Sequence, residues 1–225
     1  MYKPKYSIII PTKNEEATIG KVLSSIPNKL RRHSEIIVAD SSEDSTPEIA
    51  KLFNAKVIKI NEGGKGRAVK EAIKISRGGI LVFLDGDGTD PPSYIPILLE
   101  KLKDCNLVLG CRDLSKTKDK TTKILFMIYK HGFVNLFLRK FKKMGLDISD
   151  PLAGFRVIRK RDFNRLDIRS NNFEIEAEMN AKALALGYKI NAVPIPIKLR
   201  DGGIFRSKLL LNPKELAKII ANGFS

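Results

Sequence analysis

The sequence predicts a single α/β domain, residues 1–225, whose central sheet is mostly parallel and is flanked by helices. Three observations predict this fold. Five short apolar runs recur through the first 110 residues, each of a length suited to a buried strand. Segments with helical spacing lie between them, and alternating strands and helices are typical of a parallel sheet covered on both faces. A chain of 225 residues with 43% hydrophobic residues is sufficient for one core.

The five predicted strands end at a polar residue, a proline or a glycine. They cover residues 6–10, 35–39, 56–60, 80–84 and 107–109. Continuous apolar runs bounded by turn-forming residues are typical of strands that are buried on both faces.

Helices are predicted between these strands. Residues 15–25 begin with two glutamates, and the helix dipole favours acids in the first turn. Thr46 and Pro47 supply a cap and a proline at the first helical position, which opens a second helix. Residues 65–76 have apolar side chains at helical spacing, and residues 92–102 form the next helix.

The second half of the chain is less regular. Residues 118–143 predict two short helices broken at Gly132, and residues 173–186 and 213–220 predict further helices. Residues 189–199 are extended and contain two prolines, which predicts an edge strand or an irregular one.

The net charge of +16 suggests an anionic partner. Half of it lies in residues 112–143, which hold ten basic residues against two aspartates. Basic residues interleaved with aromatic and aliphatic ones are typical of segments that bind the headgroup region of anionic membranes. We therefore interpret 118–143 as a basic amphipathic membrane-surface segment. The alternatives are a lysine-rich solvated surface and an ordinary pair of helices covering the core.

The cysteines and the hydropathy argue against a disulfide-stabilised protein and against a protein with a membrane-spanning helix. Cys105 and Cys111 form no disulfide framework or thiolate metal site, and we expect reduced thiols of a cytoplasmic protein. The first residues lack the pattern of a signal peptide. No window approaches the roughly 18 unbroken apolar residues of a spanning helix. The chain has no Trp, which excludes a mechanism that needs a Trp platform.

The segments that follow the predicted strands carry the chemistry. In open α/β sheets, ligands bind beyond the carboxyl ends of the strands. These segments, residues 11–15, 40–44, 61–66, 85–90 and 110–112, are rich in carboxylates, glycines and small polar groups. Five such segments together indicate a binding site more strongly than any one of them.

Asp85-Gly86-Asp87-Gly88 is the most specific of these segments. It directly follows a buried strand, and two carboxylates two residues apart at a chain reversal can converge on one hard cation. Glycines allow the tight turn and the close approach of a ligand. The alternative is an Asp/Gly turn without a metal.

Two other segments are weaker alone. Asp40 at a strand end can accept hydrogen bonds from a base, a ribose hydroxyl or helix amides, and the alternative is a helix cap. Gly63-Gly64-Lys65-Gly66 lacks P-loop spacing but can offer amides and a lysine to a phosphate at a helix N-terminus. The alternative for this segment is a simple turn.

In this order, the motifs resemble glycosyltransferase family 2, whose fold is a nucleotide-binding α/β domain of the GT-A type. Pro11-Thr12-Lys13-Asn14-Glu15 is similar to its opening turn, Gly64-Lys65-Gly66 to its Gly-Lys-Gly, and Asp85-Gly86-Asp87 to its metal-binding Asp-x-Asp. The segment from Asp40 to Thr46 is similar to its Asp-Asp-Gly-Ser motif, but Ala39 replaces the first aspartate.

Within the family, the chain most resembles the polyprenyl-phosphate hexose synthases. Gly110-Cys111-Arg112 is similar to their Gly-Ser-Arg, and the segment from Asp150 to Arg156 is similar to their Asp-x-x-Ser-Gly-Phe-Arg, with Ala153 in place of serine. Residues 173–176 and 200–208 resemble their late motifs, and that subgroup places amphipathic membrane helices before the Asp150 motif.

The resemblance implies a role for each motif. Asp87, assisted by Asp85, would bind Mg²⁺ or Mn²⁺ across the donor diphosphate. The nucleotide-sugar would be bound by strand-end residues, namely Pro11, Asn14, Glu15, Asp40, Lys65, Asp85 and Gly86. Basic residues would hold the acceptor phosphate, namely Arg112, Arg156, Arg200 and Lys208. The catalytic candidates are Asp87, Asp150, Arg112 and Arg156. Asp150 would serve as the base for a hydroxyl acceptor or would orient a phosphate acceptor through the arginines.

The function that this implies is inverting transfer of a hexose from GDP-mannose or a UDP-hexose to a polyprenyl or dolichyl phosphate. The enzyme would lie peripherally on the cytoplasmic face of a membrane. One alternative is a soluble family 2 enzyme acting on a small hydroxyl acceptor such as a glycerate. Another is a nucleic-acid-binding protein, which would explain the charge but not the strand-end motifs.

Overall fold

The computed structural model describes residues 3–117, 120–129 and 135–198. Predictions for residues 199–225, including the helix at 213–220, therefore lie outside the described residues. So do Gly132 and its neighbours at the predicted break between two helices.

A seven-stranded sheet forms the centre of the described chain. Its strands in chain order are β1 (Tyr6–Thr12), β2 (Ser34–Asp40), β3 (Lys56–Lys59), β4 (Ile80–Phe83), β5 (Leu107–Asp113), β6 (Arg156–Arg159) and β7 (Ile190–Pro196). Their spatial order is β3-β2-β1-β4-β6-β5-β7. Four of the six pairings are parallel, and β6 runs antiparallel to both β4 and β5.

The predicted α/β class and the mostly parallel sheet are confirmed. All five predicted strands are present, and the proline-containing β7 lies at an edge, where it pairs only with β5 within the described sheet. Strand β6 was not predicted. It is four residues long and begins and ends with arginine, so its sequence lacks the apolar run that marks the other buried strands.

Helices connect the strands and cover both faces of the sheet. They are α1 (Ile19–Ser24), α2 (Asn28–Arg31), α3 (Thr46–Leu52), α4 (Lys65–Ile75), α5 (Ile95–Lys101), α6 (Lys120–Tyr129), α7 (Asn135–Lys143), α8 (Lys160–Arg165) and α9 (Ile175–Ala185). Helix α1 begins at Ile19 rather than at residue 15. Residues 16–18 form a turn before the helix, and the N–H groups of Glu15 and Glu16 donate to Thr46 and Asp44 in the segment after β2.

The core has one layer on each face of the sheet. Successive residues of a strand point to opposite faces, so Ile8 and Ile10 belong to one buried cluster and Ile9 to the other. The first layer includes residues of α1 and α5, and the second includes residues of α4 and α9. The site described below lies beyond the carboxyl ends of the strands, where loops from both layers meet.

Helices α6 and α7 fall within the predicted segment 118–143. Phe141 of α7 is fully buried and packs in a small cluster with Leu146 and with Ala177 of α9. Part of this segment therefore covers the core. Within the described ranges, no helix is long and apolar enough to cross a membrane.

Candidate active site

The loops after β1 and β2 are joined by reciprocal hydrogen bonds. The Asn14 N–H donates to the Ser42 hydroxyl at 2.8 Å, and the Glu43 N–H donates to Asn14 Oδ1 at 3.0 Å. The Glu15 N–H donates to the Thr46 hydroxyl at 2.8 Å. These bonds fix the two loops against each other at the end of the sheet.

Asp40 lies at the end of β2 and is only 3% exposed. Its Oδ1 accepts hydrogen bonds from the hydroxyls of Thr12 and Ser42, each at 2.6 Å, and its Oδ2 accepts one from the Ser42 N–H at 3.2 Å. The carboxylate is therefore held by the loops on both sides. In this structure the carboxylate contacts groups of the protein, and its contact with a nucleoside stays a prediction.

The loop after β4 is fixed to the loop after β1. The Thr18 hydroxyl donates to the Gly86 carbonyl at 2.8 Å. A Cβ on Gly86 would lie 2.7 Å from the methyl group of Thr12, so only glycine fits against the end of β1. Asp85, Gly86 and Asp87 thus lie beside the segment that holds Asp40, as the order of the motifs predicts.

Asp90 stabilises the loop after β4 through a hydrogen bond to its backbone. It is 7% exposed, and its Oδ2 accepts a hydrogen bond from the Asp85 N–H at 3.0 Å. Burial raises the pKa of Asp90 to about 8, and the nearby charges of Asp85 and Asp87 act in the same direction. A carboxyl group with this pKa is mostly neutral at pH 7, so Asp90 supports the loop by its hydrogen bond rather than by adding negative charge.

Asp87 is the better placed of the two predicted metal ligands. Its Oδ1 accepts hydrogen bonds from the N–H and the hydroxyl of Thr89, at 3.0 and 2.7 Å, which orients the carboxylate. The hard oxygen donors fit Mg²⁺ or Mn²⁺. No group of three or more metal-ligating side chains is present among the residues that the structure describes. A metal here would therefore take its remaining ligands from a diphosphate and water.

Lys65 lies between two carboxylates. Its Nζ is 2.6 Å from Asp85 Oδ1 and 2.7 Å from Glu176 Oε1. Burial disfavours the ammonium, but the two carboxylates outweigh that effect and raise the pKa of Lys65. Lys65 therefore carries its charge into the site, and in this structure it contacts acids of the protein.

The N-terminus of α4 differs from the arrangement that the glycine-rich segment predicts. The Gly66 N–H donates to the Asn172 carbonyl at 3.1 Å, and the Arg67 N–H donates to the Asn171 carbonyl at 2.9 Å. A Cβ on Gly66 would lie 2.6 Å from the Ser170 carbonyl oxygen. These glycines therefore allow the 170–172 loop to pack on the helix, and its first amides are used by that loop.

Arg112 and Asp150 form an ion pair at the end of β5. The Nε of Arg112 donates to Asp150 Oδ2 at 2.5 Å. The Asp150 side chain is fully buried, whereas that of Arg112 is 24% exposed. Asp150 Oδ1 has no hydrogen-bond partner among the described residues. Asp150 is therefore placed to orient Arg112, and in this structure it is not accessible to a hydroxyl acceptor as a base.

Arg156 occupies a different environment from the one predicted. It is 1% exposed, and its guanidinium donates to the carbonyls of Ala153, Pro151 and Glu176 and to Asn180 Oδ1. This placement does not support direct contact with an acceptor phosphate, because protein oxygens use the guanidinium donors. Arg156 instead joins the Asp150 loop to α9. The late basic candidates Arg200 and Lys208 lie outside the described residues.

A small cavity lies beside Lys65 and Asp85. Its polar lining includes Lys65, Asp85 and Glu176, and Pro11 and Gly154 lie on its walls. Two of these, Glu176 and Gly154, were not predicted as site residues. Residues 173–176 resemble a late motif of the subgroup, but no role was predicted for Glu176, because its pairing with Lys65 depends on a contact between residues that are distant in sequence.

The strand register places the acidic loop after β4 and Arg112 of β5 at the same end of the sheet. Phe83 of β4 and Leu109 of β5 both pair with Arg156 of β6, so they lie at the same level. Asp85 follows Phe83 by two residues, and Arg112 follows Leu109 by three. The strands are separated by one intervening strand, so the two backbones are about 10 Å apart.

Two curated proteins illustrate the sequence similarity of this chain to known enzymes. A dolichyl-phosphate hexose transferase from Haloferax volcanii is 29% identical over 196 residues, which cover 87% of this chain and 84% of that protein. A dolichol-phosphate mannosyltransferase from Pyrococcus furiosus is 28% identical over 207 residues, which cover 88% of this chain and 58% of that protein. The chain thus spans little more than half of the second relative.

Solved structures share the fold. Glucosyl-3-phosphoglycerate synthase from Mycobacterium tuberculosis, in complex with Mn²⁺, UDP and glucosyl-3-phosphoglycerate, matches with a TM-score of 0.74 and 22% identity over 97% of this chain and 78% of that chain. Mannosyl-3-phosphoglycerate synthase from Rubrobacter xylanophilus has a TM-score of 0.74 and 17% identity, over 98% of this chain and 72% of that chain. These likenesses show a GT-A-type fold.

The sequence model of the family described as Glycosyl transferase family 2 matches residues 7–167. That match covers most of the chain, including the strands and the acidic loop that form the site. The chain therefore belongs to glycosyl transferase family 2.

Proposed function

We propose that the chain is a metal-dependent hexosyltransferase that moves a hexose from a nucleotide-diphospho-sugar to a polyprenyl phosphate. The donor would be GDP-mannose or a UDP-hexose. The nucleoside would contact Pro11, Asn14, Glu15 and Asp40, and the diphosphate would lie over the loop that contains Asp85, Gly86 and Asp87.

A divalent metal, Mg²⁺ or Mn²⁺, would bind at Asp87 with Asp85 beside it. When bound, such an ion neutralises the charge that grows on the leaving diphosphate. The oxygen chemistry of the loop and the orientation of Asp87 by Thr89 support this assignment. Lys65 adds a positive charge close to Asp85.

The ion pair between Arg112 and Asp150 is the observation that favours a phosphate acceptor over a hydroxyl acceptor. A hydroxyl acceptor needs a base to take its proton, whereas a phosphate is already ionised at neutral pH. Asp150 is fully buried, and its partner Arg112 is the partly exposed group. A fixed guanidinium is well suited to holding a phosphate through parallel hydrogen bonds.

The reaction would be a single displacement. An oxygen of the acceptor phosphate forms a bond to the anomeric carbon while the bond from that carbon to the diphosphate oxygen breaks. The nucleoside diphosphate leaves with the electron pair, and the configuration at the anomeric carbon inverts. The separation of about 10 Å between the β4 and β5 ends leaves room for a hexose between the two phosphate groups.

We also propose that the enzyme binds peripherally to the cytoplasmic face of a membrane. On α6, Ile124 is 58% and Met127 45% exposed. On α7, exposed basic residues include Arg139, Lys142 and Lys143. Apolar and basic groups on the surface of one segment favour contact with anionic headgroups. The curated relatives named for lipid-phosphate acceptors support the same proposal.

The test is nucleotide release from a panel of UDP- and GDP-hexoses with Mg²⁺ or Mn²⁺. Each donor is assayed without acceptor, with a polyprenyl phosphate in detergent, and with 3-phosphoglycerate. We expect turnover that needs both the metal and the lipid phosphate. Turnover with 3-phosphoglycerate alone would replace the lipid acceptor by a small hydroxyl acceptor, and release independent of any metal would contradict the proposed metal role.

A further inference from the structure

Glu176 lies in the site although none of the strand-end motifs includes it. Its carboxylate is 2.7 Å from Lys65 Nζ, and the residue is 6% exposed. Lys65 is at the same time 2.6 Å from Asp85. The ammonium therefore bridges an acid from α9 to an acid from the loop after β4. We call Asp85, Lys65 and Glu176 the lysine triad.

The surroundings leave the lysine triad little freedom. A Cβ on Gly154 would lie 2.6 Å from Asp85 Oδ2 and 2.9 Å from Lys65 Nζ. The backbone of the 150–155 loop therefore packs directly against the ion pair. Of the three side chains, that of Glu176 is the most buried, at 8% exposed, and a buried ion is stable only when it is paired and well oriented.

Glu176 is itself fixed by buried contacts. Its backbone carbonyl accepts a hydrogen bond from Arg156 Nη1 at 3.0 Å, and the same nitrogen donates to Asn180 Oδ1 at 2.7 Å. Arg156 also binds the carbonyls of Pro151 and Ala153. One guanidinium thus ties the first turns of α9 to the loop that begins at Asp150.

We infer that Glu176 is a positioning residue that maintains the metal-binding loop through Lys65. The inference rests on the proposed function. With two carboxylates sharing one ammonium, the lysine triad keeps a net negative charge. Without the charge of Glu176, Lys65 would be matched by Asp85 alone, and the acidic loop would attract a divalent cation less strongly.

The variant Glu176→Gln tests this inference, because it keeps the shape of the side chain and removes its charge. Mn²⁺ binding is measured by calorimetry in the presence of UDP or GDP, and nucleotide binding is measured again with chelator. We expect the affinity for Mn²⁺ to fall about 10- to 100-fold, as is typical when a group supporting a metal ligand is lost. Metal-free nucleotide binding should change little.

Two further variants separate positioning from folding. Glu176→Asp keeps the charge and should recover part of the Mn²⁺ affinity. Asp162→Asn removes another buried carboxylate, which is 4% exposed, pairs with Arg159 and lies at the opposite end of the strands from the site. It should lower the melting temperature without changing the Mn²⁺ affinity.

The outcomes distinguish this inference from the proposed function. A wild-type affinity for Mn²⁺ in Glu176→Gln, or equal losses in Glu176→Gln and Asp162→Asn, would overturn the role of Glu176 and leave the proposed function standing. Absence of Mn²⁺-dependent nucleotide binding in the wild-type protein would overturn the proposed function and the inference together.

Discussion

At the scale of single residues, Arg112 is fixed by a carboxylate that solvent does not reach. The Asp150 side chain has no exposed surface, and its contact with Arg112 uses the guanidinium Nε. An arginine held in this way loses less conformational freedom on binding a phosphate than a mobile surface side chain does. We propose that Arg112 contacts the acceptor phosphate and that Asp150 positions it.

Replacement of Arg112 by lysine tests this assignment. Lysine is a point donor and cannot contact Asp150 and a phosphate with the geometry of a guanidinium. We expect kcat/KM for the acceptor to fall about tenfold or more, equivalent to about 1.4 kcal/mol, with the KM for the donor little changed. Steady-state kinetics with each substrate varied in turn measures both.

Arg159→Lys is the matched control. Arg159 has a similar side-chain exposure, 26%, and also pairs with a buried acid, but it lies at the opposite end of the strands from the site. It should lower stability and leave the acceptor KM unchanged. Equal effects of the two variants on the acceptor KM would contradict a direct role for Arg112.

The site residues that sequence reasoning placed together share a simple property. Asp40, Asp85, Asp87 and Arg112 directly follow or end apolar strands, so the parallel order brings them to one edge. Arg156 shows where such reasoning stops. Its charge suggested a phosphate ligand, but burial under α9 makes its partners the carbonyls of its own chain. The burial of Arg156 depends on contacts with residues of α9 that are distant in sequence, so it could not be predicted from the local sequence.

At the scale of elements, α9 and the 150–155 loop supply side chains and backbone that pack against the site. Helix α9 supplies Glu176 and Asn180, and the loop supplies Asp150 and Gly154. Their packing brings the loop backbone against Asp85 and Lys65. The geometry of the acidic loop therefore depends on how closely this second loop approaches.

Gly154→Ala tests that dependence. The added methyl group would lie 2.6 Å from Asp85 Oδ2, too close for van der Waals contact, so the loop or the ion pair must move. We expect metal-dependent nucleotide binding to weaken about tenfold, equivalent to about 1.4 kcal/mol. Calorimetry with Mn²⁺ and UDP or GDP measures the change.

Gly79→Ala provides the control, since a Cβ at Gly79 meets nothing within 4 Å. It should bind nucleotide as the wild-type protein does. If Gly154→Ala also bound normally, the close packing of the loop against the lysine triad would have no role in donor binding.

The elements that sequence reasoning missed are those without a local signal. Strand β6 is short and flanked by arginines, and it enters the sheet because its Val157 and Ile158 pair with β4 and β5. Helix α1 begins late because the N–H groups of Glu15 and Glu16 bond to Thr46 and Asp44, which follow β2. Both outcomes depend on tertiary contacts, whereas the apolar runs and the helical spacing of α4 act locally.

At the scale of the whole molecule, the sheet brings donor and acceptor groups to one edge. Strands β1, β2 and β4 are parallel, and β5 ends at the same edge because both β4 and β5 run antiparallel to β6. The backbone ends of β4 and β5, which carry the acidic loop and Arg112, are thus about 10 Å apart. This arrangement allows one chain to hold a diphosphate and a second phosphate on either side of a sugar.

The most direct test of the central claim is calorimetric binding of UDP and GDP to the purified chain, with Mn²⁺ and with chelator. We expect at least one nucleotide to bind with Mn²⁺ and to lose most of its affinity with chelator. Asp87→Asn should weaken the Mn²⁺-dependent binding about tenfold or more, equivalent to about 1.4 kcal/mol. Binding that is the same with metal, with chelator and in Asp87→Asn would contradict a metal-dependent donor site at this edge of the sheet.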